Sequence, residues 1–147
     1  MDDPTFLAAF ESATLAEDGF HHADHVRAAW LLLGLSPPAA ALERFAAALR
    51  RLAAAFGKSS LYHETITWAY LLLIVERIAR RGRGADFSEF ARSNPDLMTW
   101  RPSILEAYYR SETLASDVAR RVFVLPDRLE AGLRRPAPDP LTGSPAP

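Results

Sequence analysis

Apolar residues recur at intervals of three and four along most of this chain, and no segment sustains the strict alternation of a half-buried strand. Alanine, leucine and arginine, which all favour helices, are abundant in these segments. The pattern therefore predicts an all-α fold, a compact bundle of five to six helices in which each helix buries an apolar face.

Capping residues, prolines and glycines mark where the predicted helices begin and end. The main helices are predicted at about residues 3–13, 22–34, 38–56 and 61–80, and shorter ones start near Asp86, Ser103 and Leu114. Gly34 is predicted to end the second helix. Because the fourth helix is apolar on almost every side between residues 66 and 75, we expect it at the centre of the bundle.

The chain has the length and the apolar content of one folded domain. Of its 147 residues, 49% are hydrophobic, which is enough to bury a substantial core. Five of the twelve residues from Pro136 onward are prolines, a composition that does not build a packed element. We therefore expect a single helical domain over residues 1–130 and a disordered, flexible tail over residues 131–147.

The composition also argues against several classes of protein. A net charge of −1 gives no general attraction to nucleic acid or to an anionic membrane. The absence of cysteine excludes disulfides and thiolate chemistry. The longest apolar run is too short to span a bilayer, and the N-terminus lacks an export signal. We expect a cytoplasmic protein whose partner is a small molecule, with a homodimer left open.

All four histidines fall into two short patches, each at the start of a predicted helix. The first patch, residues 21–25, carries His21, His22, Asp24 and His25. On a helix His25 lies one turn after His21 and His22, so either pair can converge on one ion. Asp24 could orient a ring or cap the helix. Because helix N-termini disfavour imidazolium, these rings should be neutral and able to bind metal or accept a proton.

The second patch, residues 62–64, places His63 and Glu64 at the start of the fourth helix. Consecutive helical residues point roughly 100° apart, so one of the two would ligate or catalyse while the other orients or packs. Four residues are predicted to line a substrate pocket: Thr67, Trp68, Tyr108 and Arg110. If the second and fourth helices are parallel neighbours, both patches meet at one end of the bundle.

The two patches, followed by the aromatic pair at 108–109 and the segment 123–127, resemble a group of small helical bacterial proteins that share these strings. Their motifs read Phe-His-His-x-Asp-His and Tyr-His-Glu-Thr-Ile-Thr, and the resemblance spans roughly residues 18–127. It implies no particular activity. The chain departs from the hemerythrin-like and ferritin-like di-iron proteins because it lacks their repeated His-x-x-x-Glu or Glu-x-x-His motifs, so a mononuclear site is the better analogy.

Together these patterns predict a small metal-dependent enzyme that acts on a small molecule. The predicted metal ligands are His21, His22, His25, His63 and Glu64, and the predicted catalytic groups are Glu64 and Asp24. Zinc with an open position would activate water for a hydrolytic or lyase reaction. Iron held by two histidines and one carboxylate would instead suit an oxygen-activating site.

Two other hypotheses come from different classes of protein. One is a metal-free module that binds a small ligand or anion near the helix N-termini through a His/Glu polar network. The other is a structural network in which His25 and Glu64 pair between helices. Metal content separates the first of these from the enzymatic hypothesis.

Overall fold

The computed structural model describes residues 1–128, which contain eight α-helices and no strand. The helices are α1 (Asp3–Glu11), α2 (His22–Leu35), α3 (Pro38–Ala55), α4 (Glu64–Arg81), α5 (Phe87–Ser93), α6 (Pro95–Met98), α7 (Ser111–Leu114) and α8 (Asp117–Arg121). Short 3-10 turns lie at Glu17–Gly19, Ser59–Leu61 and Ile104–Ala107. The all-α prediction is confirmed. The predicted tail, residues 131–147, lies outside the described residues.

The number of helices exceeds the predicted five to six because two segments begin anew at local start signals. Pro95 opens α6 directly after Asn94 ends α5. Ser116 caps α8 by accepting a hydrogen bond from the backbone N–H of Ala119, so the helix predicted to start near Leu114 begins at Asp117, and α7 is a separate helix that ends at Leu114. Helices α5, α6 and α8 thus begin at a cap or a proline, whereas α7 begins without a side-chain cap.

The start of α4 and the end of α2 differ from the predicted positions, each for an identifiable reason. The helix predicted from residue 61 begins at Glu64, because Ser59–Leu61 forms a 3-10 turn and His63 is the capping residue. Gly34 does not end α2, which runs on to Leu35. A Cβ on Gly34 would lie 2.4 Å from Nη2 of Arg83, so this glycine makes room for a guanidinium instead.

Helix α4 lies between two apolar clusters, in agreement with the prediction that it is central. On one side Leu71 and Ile74 are fully buried in a core shared with α1, α2 and α3. On the other side Ala69 and Tyr70 pack with Leu105 and Tyr109. Among the described residues no helix combines the length and apolar character needed to cross a membrane.

Contacts at both ends of α2 show that α2 and α4 run parallel. The ring of His22, at the start of α2, packs against Tyr70, with ring centroids 4.9 Å apart. Near the end of α2, the indole of Trp30 donates a hydrogen bond to the carbonyl of Arg83, just beyond the end of α4. The N-terminal halves of the two helices, which carry the two histidine patches, therefore lie on the same side of the molecule.

Candidate functional site

All four histidines line one cavity of about 590 Å³ that lies between α2, α3 and α4. Its wall is mostly apolar and includes Phe20, Val26, Phe45, Leu49, Ile66 and Ile74. This volume falls within the range of small-molecule sites in proteins. Because α2 and α4 run parallel, both patches face the same cavity. The sequence predicted this on the condition that the two helices are parallel neighbours.

His25 contributes a neutral imidazole to this cavity. Its ring packs against Phe20, with centroids 4.4 Å apart, and neither ring nitrogen bonds to another residue within 1–128. Burial, assisted by the neighbouring His22, lowers the pKa of His25 to about 4. At neutral pH the ring is therefore uncharged and can offer one donor and one acceptor to a bound molecule.

His22 forms an aromatic corner of the cavity. Its Nε2 is 2.8 Å from the carbonyl oxygen of Leu97, to which it donates a hydrogen bond. The ring also packs against Tyr70 and lies 5.2 Å, centroid to centroid, from Trp100. Burial lowers the pKa of His22, so this ring is also neutral at physiological pH. One of its nitrogens is thus used to hold the segment after α5 against α2.

His63 is hydrogen-bonded at both ring nitrogens. Its Nδ1 accepts from the backbone N–H of Ile66 at 3.1 Å, which caps α4. Its Nε2 donates to the carbonyl oxygen of Leu114 at 2.7 Å, which joins α4 to α7. These two bonds fix the tautomer with the proton on Nε2, and burial lowers the pKa of the ring. His63 could bind a metal only by giving up one of these bonds.

Glu64 is a buried carboxylate that links α4 to α3 rather than to His25. One of its oxygens accepts from the guanidinium of Arg50, and the other accepts from the indole N–H of Trp68. The same guanidinium lies over the ring of Tyr62, 4.6 Å from its centroid. The predicted pairing of Glu64 with His25 is therefore replaced by bonds to Arg50 on α3 and Trp68 on α4.

Asp24 caps α2, as predicted for one of its roles. Its Oδ2 accepts a hydrogen bond of 2.9 Å from the backbone N–H of His21. The side chain of His21 is 73% exposed, and its Nδ1 lies 3.8 Å from the same carboxylate oxygen. At this distance the pair makes at most a weak electrostatic contact, so His21 sits at the rim of the cavity with its ring largely in solvent.

Of the four residues predicted to line a substrate pocket, the structure brings Thr67 to the cavity. Trp68 faces away from it and stacks on Phe123, with centroids 5.1 Å apart. Tyr108 lines a smaller apolar cavity of about 130 Å³ on the other side of α4. Arg110 is exposed and its backbone N–H is bound by Asp127. Of these four residues, only Thr67 therefore belongs to the main cavity.

Within residues 1–128 no group of three or more histidine, aspartate or glutamate side chains is arranged to hold a metal ion. Of the predicted ligands, His63 and Glu64 have their nitrogens or oxygens engaged by protein groups. His25 keeps both ring nitrogens free of protein partners in this part of the chain. The metal site and the catalytic roles of Glu64 and Asp24 stay predictions.

Three charged residues that line the cavity were not predicted from the sequence. Glu17 and Lys58 form an ion pair at its rim, and Arg120 on α8 completes one wall. Nothing local in the sequence signals them, because each reaches the cavity through contacts between segments far apart in the chain.

Comparisons of the chain with protein-family models, with curated proteins and with solved structures found no match. Its function is therefore argued from the cavity and the groups that face it.

Proposed function

We propose that this protein binds a small, largely apolar molecule in the cavity between α2, α3 and α4, without a metal ion. The observation that carries the proposal is the cavity itself, about 590 Å³ in volume and walled mainly by apolar side chains. Such a space is favourable for a ligand that transfers apolar surface out of water. The neutral ring of His25 would supply the hydrogen bond that orients the ligand.

Binding is favoured over catalysis because the groups suited to chemistry are already engaged. The nitrogens of His63 and the oxygens of Glu64 hold α4 to its neighbours. His25, with a pKa of about 4, is a weak base at neutral pH, far from the value that suits general base catalysis. The remaining polar groups are better matched to recognition than to proton transfer.

A neutral fluorescent compound, N-phenylnaphthylamine, tests the proposal directly, since its emission rises in apolar surroundings. We expect saturable binding to the wild-type protein. Ala53 lines the cavity and Ala54, the next residue of α3, is exposed, so the two positions offer a matched pair. Ala53→Trp should fill the cavity and weaken binding by roughly tenfold or more, whereas Ala54→Trp should leave it unchanged. Equal binding by both variants would contradict the proposal, as would no binding by the wild type.

A mononuclear zinc or iron enzyme is the second candidate, and it is favoured by the convergence of all four histidines on one cavity. Elemental analysis of protein purified without a histidine tag tests it. Stoichiometric metal that is lost in His25→Ala would support the metal site and overturn the metal-free proposal. The cytoplasmic location and the homodimer stay predictions.

A further inference from the structure

We infer that the ligand is a monocarboxylate with an apolar body, and that Arg120 binds its carboxylate. This inference rests on the proposed function, because it assigns the chemistry of the molecule that the cavity holds. It goes beyond that proposal in naming the charge of the ligand and the side chain that recognises it.

The charged side chains that line the cavity do not all have partners of opposite charge. Three of its lining residues carry a full charge at neutral pH: Glu17, Lys58 and Arg120. Lys58 and Glu17 neutralise each other in an ion pair in which both side chains are about half exposed. Arg120 has no carboxylate partner within residues 1–128. Burial lowers the pKa of His22, His25 and His63, so Arg120 is the one fully charged lining side chain within residues 1–128 that lacks a partner of opposite charge.

The guanidinium of Arg120 is held in place by one hydrogen bond. Its Nη1 donates a hydrogen bond of 3.1 Å to the carbonyl oxygen of Ser60, which joins α8 to the 3-10 turn before α4. Arg120 and His63 both line the cavity, and the positive charge of Arg120 is, after burial, a cause of the lowered pKa of His63. One bond to Ser60 leaves several N–H groups of the guanidinium for a ligand.

The guanidinium and the apolar wall of the cavity together match a carboxylate with an apolar body. A guanidinium binds the two oxygens of a carboxylate through parallel hydrogen bonds, which are stronger than bonds between neutral groups. One unbalanced positive charge complements one negative charge. A dianion such as phosphate would bring a surplus negative charge towards Glu17 and into a mostly apolar space. The apolar body of the ligand would then lie against Phe45, Leu49 and Ile74.

Octanoate and octanol, which share a chain and differ in charge, test the assignment by isothermal titration calorimetry at neutral pH and low salt. We expect the wild-type protein to bind octanoate more tightly than octanol. Arg120→Gln should weaken octanoate binding by roughly tenfold or more and change octanol binding by less than about twofold. Arg120→Lys should fall between these, because it keeps the charge and loses the paired geometry.

Arg121→Gln is the matched control. Arg121 is the next residue of the same short helix, is exposed and is paired with Asp117 on that helix. This variant should bind octanoate as the wild type does. Octanol binding by Arg120→Gln also serves as the check that the variant is folded.

The possible failures are distinguishable. If octanol and N-phenylnaphthylamine bind but octanoate binds no more tightly than octanol, the carboxylate assignment is overturned while the proposed function stands. The same conclusion follows if Arg120→Gln and Arg121→Gln have equal affinities for octanoate. If none of the three compounds binds the wild-type protein, the proposed function fails, and the inference fails with it.

Discussion

The two histidine patches contain the same types of residue at equivalent places in two helices, yet they differ in how their polar groups are used. In the second patch, both nitrogens of His63 and both oxygens of Glu64 are hydrogen-bonded to protein groups. In the first patch, the ring nitrogens of His25 have no such partner within residues 1–128, and the ring faces the cavity. The second patch thus holds the fold together, and in the first patch the ring of His25 is available to a ligand.

This difference shows that the role of a histidine at a helix start depends on what packs above it. Leu114 follows His63 by 51 residues in the sequence, and its carbonyl fixes the tautomer of that ring. Within residues 1–128 the ring of His25 makes no hydrogen bond and contacts the ring of Phe20 instead. A half-buried imidazole without a fixed partner is the one best suited to meet an incoming molecule.

The largest expected effect is on stability, from His63→Ala. This change removes the cap of α4 and leaves the carbonyl of Leu114 without its donor, so the free energy of unfolding should fall by roughly 3 kcal/mol. His21→Ala, at an exposed ring in the first patch, should lower it by less than about 0.5 kcal/mol. Urea denaturation measures both. Comparable losses in the two variants would contradict the contrast between the patches.

Removing the carboxylate of the second patch should also destabilise the fold more than removing the carboxylate of the first. Glu64→Ala leaves Arg50 and the indole of Trp68 without an acceptor and should lower the free energy of unfolding by roughly 2 kcal/mol. Asp24→Ala removes a helix cap alone, with an expected loss of roughly 1 kcal/mol. Denaturant melts of the two variants under identical conditions check the order. A reversed order would show that Glu64 is not a structural link.

A third expected effect is a dependence of stability on pH that originates in the first patch. Burial holds the pKa of folded His25 near 4, below the unfolded value of 6.5. As the pH falls, the unfolded chain therefore takes up a proton first, so stability is complete above about pH 6.5 and is lost towards pH 4. The loss from this group should be about 1 to 2 kcal/mol, since the ring is partly open to solvent.

His25→Leu should reduce that slope, although His22 and His63, whose pKa values burial also lowers, will leave part of it in place. His21→Leu is the control, because it replaces an imidazole of the same patch whose side chain is 73% exposed. Urea denaturation at intervals between pH 4 and pH 7 measures the effect. An unchanged slope in His25→Leu would show that this ring is not buried in solution.

The sequence was sufficient to predict the elements that depend on local signals. The all-α class and the starts of α2, α3 and α5 follow from periodicity and caps. The meeting of both patches at one cavity depended on the condition that α2 and α4 are parallel, which the sequence left open. The local sequence favours Ser59 or Ser60 as the cap of α4, because serine is a common cap and histidine is not, yet the cap is His63. His63 caps α4 because its Nδ1 accepts a hydrogen bond from the backbone N–H of Ile66, and the local sequence does not reveal this bond.

The roles of the site residues could not be predicted in the same way, because they depend on long-range contacts. His25 and His63 are both imidazoles near a helix start, and their different roles come from the packing of Phe20 on one ring and the carbonyl of Leu114 on the other. Arg120 resembles Arg121 in sequence, yet it reaches the cavity through a bond to Ser60, 60 residues away. Only the folded arrangement of α8 against α4 separates the two arginines.

The smallest expected effect concerns the exception within the second patch, the hydroxyl of Tyr62. Burial raises the pKa of both Tyr62 and Tyr109 to about 12. The Tyr109 hydroxyl donates to the carbonyl oxygen of Val124 at 2.7 Å, whereas the buried Tyr62 hydroxyl has no partner within residues 1–128. Tyr109→Phe should lower the free energy of unfolding by about 1 kcal/mol, and Tyr62→Phe should change it by less than about 0.5 kcal/mol or raise it slightly. A loss in Tyr62→Phe equal to that in Tyr109→Phe, measured by denaturant melts, would mean that Tyr62 is hydrogen-bonded in solution. The second patch would then have no unpaired polar group, which would make its contrast with His25 complete.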